Sequence, residues 1–225
     1  MFEVNEKESK IYFYDVVGAD FFGGVTAGDF KKGLDSLDGT DVQIHVNSPG
    51  GDVWTGLAIY NTIKAYPGKT TVVVDALAAS AASYFPMAAD EILMHENSLM
   101  MIHAPMSFAF GNSTAMMEMA EVLDKHAESM SKAYESRSGK SAEDITEIFN
   151  KEVWYTATEA VENGFANSVI DSESDFEVQI NNKVFNFKHA PSEMVSASIP
   201  KFAAFTRKPN GRKQLQAKVK IKSLV

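Results

Sequence analysis

Between Thr70 and Phe85 the chain reads TTVVVDALAASAASYF, a β-branched apolar run that passes into a stretch made almost wholly of Ala and Ser. The apolar half, Thr70–Asp75, reads as a strand. The small half carries so little side-chain bulk that another backbone can come close to it. It also lets a serine hydroxyl stand at a strand-to-helix corner. Further apolar alternation or short apolar runs at Ile11–Val17, Val42–Val46, Ile92–Met94 and Leu99–Ile102 predict more strands. Between them, Trp54–Ala65 places Trp54, Leu57, Ala58, Ile59 and Ile63 at helical spacings. Strand, helix and strand joined by short connections make βαβ units and a largely parallel sheet, so the fold class is α/β.

After Ile102 the pattern turns helical from about Ser113 to Ser136, closes near Gly139 and restarts at SAED, where Ser141 and Asp144 form a capping-box signature. The expectation is a helical hairpin. Met116, Met117, Met119, Ala120, Val122, Leu123, Met130 and Tyr134 are more apolar residues than one narrow stripe needs. A core-facing helix rich in adaptable Met is the first reading, and a surface that grips a substrate or partner is the second.

From Asp171 the chain becomes polar (DSESD) and then reads FEVQI-NN-KVFNF, two alternating runs around a turn-forming Asn pair, which predicts a β-hairpin. Beyond Pro191 the composition is Ser, Pro, Lys and Ala without a sustained period, as expected of a flexible tail. The division read from these shifts is a main domain over 1–172, a hairpin extension over 173–190 and a basic tail over 191–225. The net charge of -9 hides an asymmetry, because residues 201–225 hold eight Lys or Arg and no acid, leaving about -17 on the rest. An acidic body argues against a nucleic-acid surface on the main domain, since phosphate contacts need clustered Lys and Arg. Only the tail has that character. Cysteine is absent, which excludes disulfides and cysteine-ligated zinc and fits a reducing cytoplasm. The N-terminus lacks a basic region followed by an apolar stretch, and no apolar run approaches the roughly 18 residues needed to span a bilayer. A soluble cytoplasmic protein is the expectation.

Three segments carry candidate chemistry. VNSPGGDV (Val46–Val53) lies where a strand ends and a helix begins. Its adjacent glycines allow a tight turn with outward N–H groups, as an anion or oxyanion site or simply as a turn. Neither GxxxxGK[ST] nor GxGxxG is present. DALAASAASYF (Asp75–Phe85) offers Ser80 and Ser83, neither in a GxSxG elbow; the same small residues would also suit close helix packing. SLMMIHAP (Ser98–Pro105) sets His103 at the C-terminal end of an apolar strand, where open α/β sheets place functional groups. His45, His95, His126 and His189 have no metal-ligand spacing.

In this order the three segments resemble the Clp protease proteolytic subunit family of the crotonase-like superfold. In that family a strand ends in NSPGG, an AAS segment holds the nucleophile, a strand ends in MIHxP, and an S/T-A-x-E-A-V-E-x-G stretch follows. Here these read Asn47–Gly51, Ala78–Ser80, Met101–Pro105 and TATEAVENGF over Thr156–Phe165. The likeness covers about Val4 to Asp171. It implies a serine endopeptidase with Ser80 as nucleophile, His103 as base and the N–H groups of Gly51 and Ala81 as oxyanion hole, leaving Ser83 to packing. The family's third member, an Asp, corresponds to Glu152, whose extra methylene changes its reach. Such chemistry needs no metal or organic cofactor.

The resemblance further implies a closed homo-oligomeric ring, with the hairpin over Ser113–Phe149 as a handle between stacked rings. DFFGGVTAGDF (Asp20–Phe30), NSPGGDVWTGLAIYNTIK and ALAASAASYFPMAADEI look most like the phage and prophage branch, which trims scaffold or capsid protein during head maturation, often without the ATP-driven unfoldase of the housekeeping enzyme. The competing readings are a signal-peptide-peptidase-A-like enzyme with a lysine base, a crotonase-type acyl-CoA enzyme and an inert structural ring protein.

Overall fold

The computed structural model describes residues 1–18, 24–107, 109–171 and 187–190. The expected hairpin lies outside these residues except for its last position, Phe187, and the tail from 191 lies wholly outside them. Among the described residues eight strands form one sheet. β1 (Phe2–Asn5) pairs antiparallel with β2 (Lys10–Phe13), and from β2 inward the pairing is parallel: β2 to β3 (Val42–Ser48), β3 to β4 (Thr70–Ala79), β4 to β5 (Glu91–His95) and β5 to β8 (Ser168–Ile170).

β4 is the pivot of this arrangement. Thr71–Val74 pairs with Glu91–Met94 of β5, whereas Leu77–Ala79 pairs in parallel with the start of β6 (Leu99–Ile102). β6 in turn pairs antiparallel with β7 (Val153–Thr156). Side chains alternate along β4 to serve two apolar layers. Val72, Val74 and Ala78 face the main core beside Phe13, Ile44, Ile59, Phe85 and Tyr134, while Leu77 and Ala79 face a smaller cluster with Met101 and Phe187.

The sequence places a strand end at Asp75, but β4 runs on to Ala79. Alanine has weak β propensity, and here main-chain pairing to β6 outweighs it. Asp75 is 1% exposed on the second face. It accepts the Tyr14 hydroxyl and bonds His45 Nδ1 at 3.0 Å and His95 Nε2 at 3.3 Å, which accounts for both histidines as partners of a buried carboxylate.

Most of the helices start on side-chain caps. Thr26 caps α1 (Ala27–Asp35), Asp52 caps α2 (Val53–Lys64), and Asn112 caps α4 (Ser113–Ser138), which ends at Gly139 with φ +73°. α3 (Ala81–Tyr84) and a tighter helical turn over Phe85–Ala88 follow β4 directly. The expected capping box of Ser141 and Asp144 starts α5 (Ala142–Lys151), and a second, Thr156 with Glu159, starts α6 (Ala157–Glu162). The TATE motif is therefore, in structural terms, a helix start. Only the last turns of α4 meet the core, through Met130, Ala133 and Tyr134. Met116, Met117 and Val122 are exposed, so the core-facing expectation fails for the first half of this helix, which extends past the layer it would have to pack on.

Phe85 is fully buried against Phe13 and Phe30, with ring centroids 5.2 and 6.4 Å away. Phe85→Ala is expected to lower unfolding free energy by about 3–5 kcal/mol in urea titration. A loss under about 1 kcal/mol would show that the packing of Phe13 and Phe30 does not depend on it.

Candidate active site

The site is built by strand register. Ala79 of β4 pairs with Met101 of β6, and the Ser80 N–H donates to the Met101 carbonyl at 2.9 Å. The two parallel strands thus end side by side, delivering Ser80 and His103 to one edge. β7 pairs Val153 with Ile102, so one further antiparallel step sets Glu152 beside His103. β3 pairs Ser48 with Ala78, and the same register carried on two residues brings Gly50 against Ser80. A Cβ on Gly50 would stand 2.7 Å from the Ser80 Cβ and 2.5 Å from the Ala79 carbonyl oxygen, and Gly50 has φ +91°, so only glycine fits.

Ser80 occupies a backbone conformation, φ 55° and ψ -126°, that side-chain-bearing residues rarely adopt. The corner is held by the Met101 bond on one side. On the other, the Ser80 carbonyl accepts the Ser83 N–H and Ser83 hydroxyl, both at 2.8 Å. Ser83 is fully buried and also bonds the Tyr134 hydroxyl at 3.0 Å. Its hydroxyl is therefore a structural strut. Ser80 precedes α3 where a serine usually caps its helix, yet its side chain makes no cap bond. Instead Ser80 Oγ lies 2.7 Å from His103 Nε2.

The glycine loop is fastened from behind. The Val17 N–H donates to the Gly50 carbonyl and the Asp52 N–H to the Val17 carbonyl, both at 2.8 Å. Because peptide groups of extended chain alternate in direction, this pairing turns the Gly51 N–H away from Val17. No hydrogen bond among the described residues uses the N–H of Gly51 or of Ala81, the first residue of α3.

His103 is 8% exposed. Burial pushes its pKa down from 6.5 to about 4; the Glu152 carboxylate opposes the shift and Lys188 adds to it. At neutral pH the imidazole is uncharged and free to accept a proton. Glu152, in the left-handed region at the end of α5 and 5% exposed, reaches His103 by charge. No hydrogen bond among the described residues joins the two. Its oxygens accept instead from the N–H groups of Lys188 (2.8 Å) and His189 (2.7 Å) and from the Trp154 indole (3.3 Å). Trp154 and residues 187–189 are the neighbours that sequence reasoning missed. The indole could have been found from the β6–β7 register, but nothing local marks the chain after Phe187 as a partner of Glu152.

The Clp protease family model matches residues 33–173, more than half of the chain. ATP-dependent Clp protease proteolytic subunit 1 of Streptomyces avermitilis is 32% identical over 139 residues, covering 60% of this chain and 64% of that protein. The ATP-dependent Clp protease proteolytic subunit of Bacteroides fragilis is 33% identical over 142 residues, covering 61% and 68%. A solved variant of ClpP1 from Listeria monocytogenes shares the fold with a TM-score of 0.65 at 24% identity, over 74% of this chain and 93% of that one. The chain belongs to the Clp protease family. Its match spans 64% of the length of the Streptomyces avermitilis relative, just short of two thirds.

The buried imidazole sets a stability window. Between pH 6.5 and about 4 the unfolded chain binds a proton that folded His103 refuses, so its contribution to stability falls as pH drops through that range. His103→Gln is expected to remove this part of the acid sensitivity, measured as the wild-type minus variant difference in urea unfolding at pH 7 and pH 4.5. An equal difference at both would refute the assigned environment.

Proposed function

We propose that this member of the Clp protease family is a serine endopeptidase, with Ser80 as nucleophile, His103 as general base and Glu152 as the carboxylate that favours the charged imidazole. The observation that carries the reading is the 2.7 Å approach of His103 Nε2 to Ser80 Oγ, made from a strained Ser80 backbone and a buried, neutral imidazole. Ser80 Oγ attacks the scissile carbonyl carbon while its proton passes to His103 Nε2. The carbonyl oxygen becomes an oxyanion facing the N–H groups of Gly51 and Ala81, each such donor worth about 2.7–4 kcal/mol. Collapse breaks the C–N bond, and His103 returns the proton to the departing amine. Water, deprotonated by the same imidazole, then attacks the acyl carbon; the ester bond to Ser80 Oγ breaks, the acid is released and the imidazolium returns its proton to Oγ. Glu152 stabilises the imidazolium by charge in both steps.

Beyond the reaction class, we read the substrate as a scaffold or capsid protein of a phage or prophage, on the likeness of Asp20–Phe30 and of the two motif segments to that branch. Exposed Met116, Met117 and Val122 on α4 suit an interface between copies in a homo-oligomeric ring, which would enclose Ser80 and keep the cytoplasm's proteins from it. No helix among the described residues is long and apolar enough to cross a membrane.

Ser80→Ala is expected to lower kcat on a fluorogenic peptide by a factor on the order of 10^6 while leaving circular dichroism unchanged. Fluorophosphonate labelling mapped by mass spectrometry should modify Ser80. An unlabelled Ser80 favours an inert ring protein, and activity that survives His103→Ala but not a Lys substitution favours a serine-lysine peptidase. Light scattering after size exclusion is expected to give a closed oligomer; a stable monomer at working concentration would remove the ring.

A further inference from the structure

The site has a wall that comes from beyond the family match, which ends at residue 173. Phe187 is 3% exposed, and its ring stands edge-on to the His103 imidazole with centroids 5.8 Å apart and planes at 88°. The same ring meets the Trp154 indole at 5.8 Å and packs with Leu77, Ala79 and Met101. The next two residues turn their main chain onto Glu152. The Lys188 N–H donates to Oε2 and the His189 N–H to Oε1. A carboxylate buried to 5% exposure needs donors, and two of its three come from this segment. Ser80 stays partly exposed. The segment therefore walls the imidazole and carboxylate side of the site and leaves the nucleophile open.

We propose that Phe187, Lys188 and His189 are positioning residues of the active site: the N–H groups of 188 and 189 clamp the Glu152 carboxylate beside His103, and the Phe187 ring seals the apolar face behind the imidazole. The inference rests on the reading of Ser80 and His103 as the catalytic pair. A glutamate has three rotatable bonds between its backbone and its charge, and at this site no hydrogen bond to His103 fixes them. Two main-chain donors of one short segment do so, because both oxygens must meet consecutive N–H groups at once. The ring of Phe187 excludes water from the imidazole, so the charge of Glu152 acts on His103 with little screening. Among the described residues the charged groups acting on His103 are Glu152, just before β7, and Lys188 of the segment itself. An inhibitory plug would instead have to cover Ser80.

The test uses the full-length protein and reads the pH dependence of Ser80 modification by a fluorophosphonate probe. In the wild type the acid limb, set by His103, is expected near pH 4. Phe187→Ala, which readmits water, should move the limb up by at least one pH unit toward 6.5, and Phe187→Leu, which restores apolar cover, should bring it back. His189→Pro removes one N–H donor and is expected to lower kcat on a fluorogenic peptide roughly 10- to 100-fold with little change in KM. An equal loss in His189→Ala, which keeps the N–H, overturns the clamp. An acid limb unmoved in Phe187→Ala, with wild-type circular dichroism, overturns the seal, and faster labelling at every pH would mark an inhibitory cover instead. Should wild-type Ser80 take up no probe, the proposed activity fails separately. Proton NMR titration of His103 then decides the seal, which requires the same upward shift in Phe187→Ala.

Discussion

Main-chain pairing between the second half of β4 and β6 holds the rest of the site in place. β4 spends its first residues on β5 and its last on β6, so two successive strands share one edge of a single ten-residue strand. Hydrogen bonds of a parallel ladder are evenly spaced, and a register once set carries forward to the residues just past the strand ends. Ser80 and His103 are those residues. A slip of one position between β4 and β6 would turn His103 to the other face, and no side-chain contact in the site is strong enough to offset the lost ladder.

That pairing demands small side chains. Ala78 and Ala79 are fully buried, as are Leu77 and Met101 beside them, and the glycine loop presses on Ser80 from the β3 side with no room for a Cβ. The close approach lets three strand ends converge, and it forces Ser80 into a conformation that only surrounding structure can sustain. Ser83 and Tyr134, bonded to each other under the corner, provide that support and tie it to α4. Rigidity at Ser80 thus derives from the main core, whereas the environment of His103 is made on the opposite face.

On that opposite face the sheet would expose Leu77, Ala79, Met101 and Trp154 if nothing covered them. Phe187 does, together with Ala190 at its fringe. The same few residues bury the imidazole, lower its proton affinity and complete the hydrogen bonding of Glu152. Packing and electrostatics are coupled here because one short segment supplies both the apolar ring and the N–H donors. The two roles cannot be separated by looking at either apolar cluster alone.

Much of the fold is legible in the sequence because its signals are local. Three valines in a row, apolar helical spacing from Trp54 to Ile63, the Ser141 and Asp144 capping pair and the glycine that ends α4 each act over a few residues, and the structure has an element at each. β1, β7 and β8 were not legible, being four residues or fewer and defined by their partners rather than by a period. Ser80 and His103 were legible as candidates through their motifs, and Ser83 could be set apart from Ser80 only through that resemblance. The sequence by itself determined the residue types, the βαβ pattern around β3, α2 and β4, and the glycine loop. Tertiary structure alone decided which atoms meet: the register that brings residues 80, 103, 152 and 50 to one edge, and the return of residues 187–189 onto Glu152. Contacts between residues some twenty to more than a hundred positions apart are fixed by ladder pairing and burial, and neither leaves a local mark in the chain.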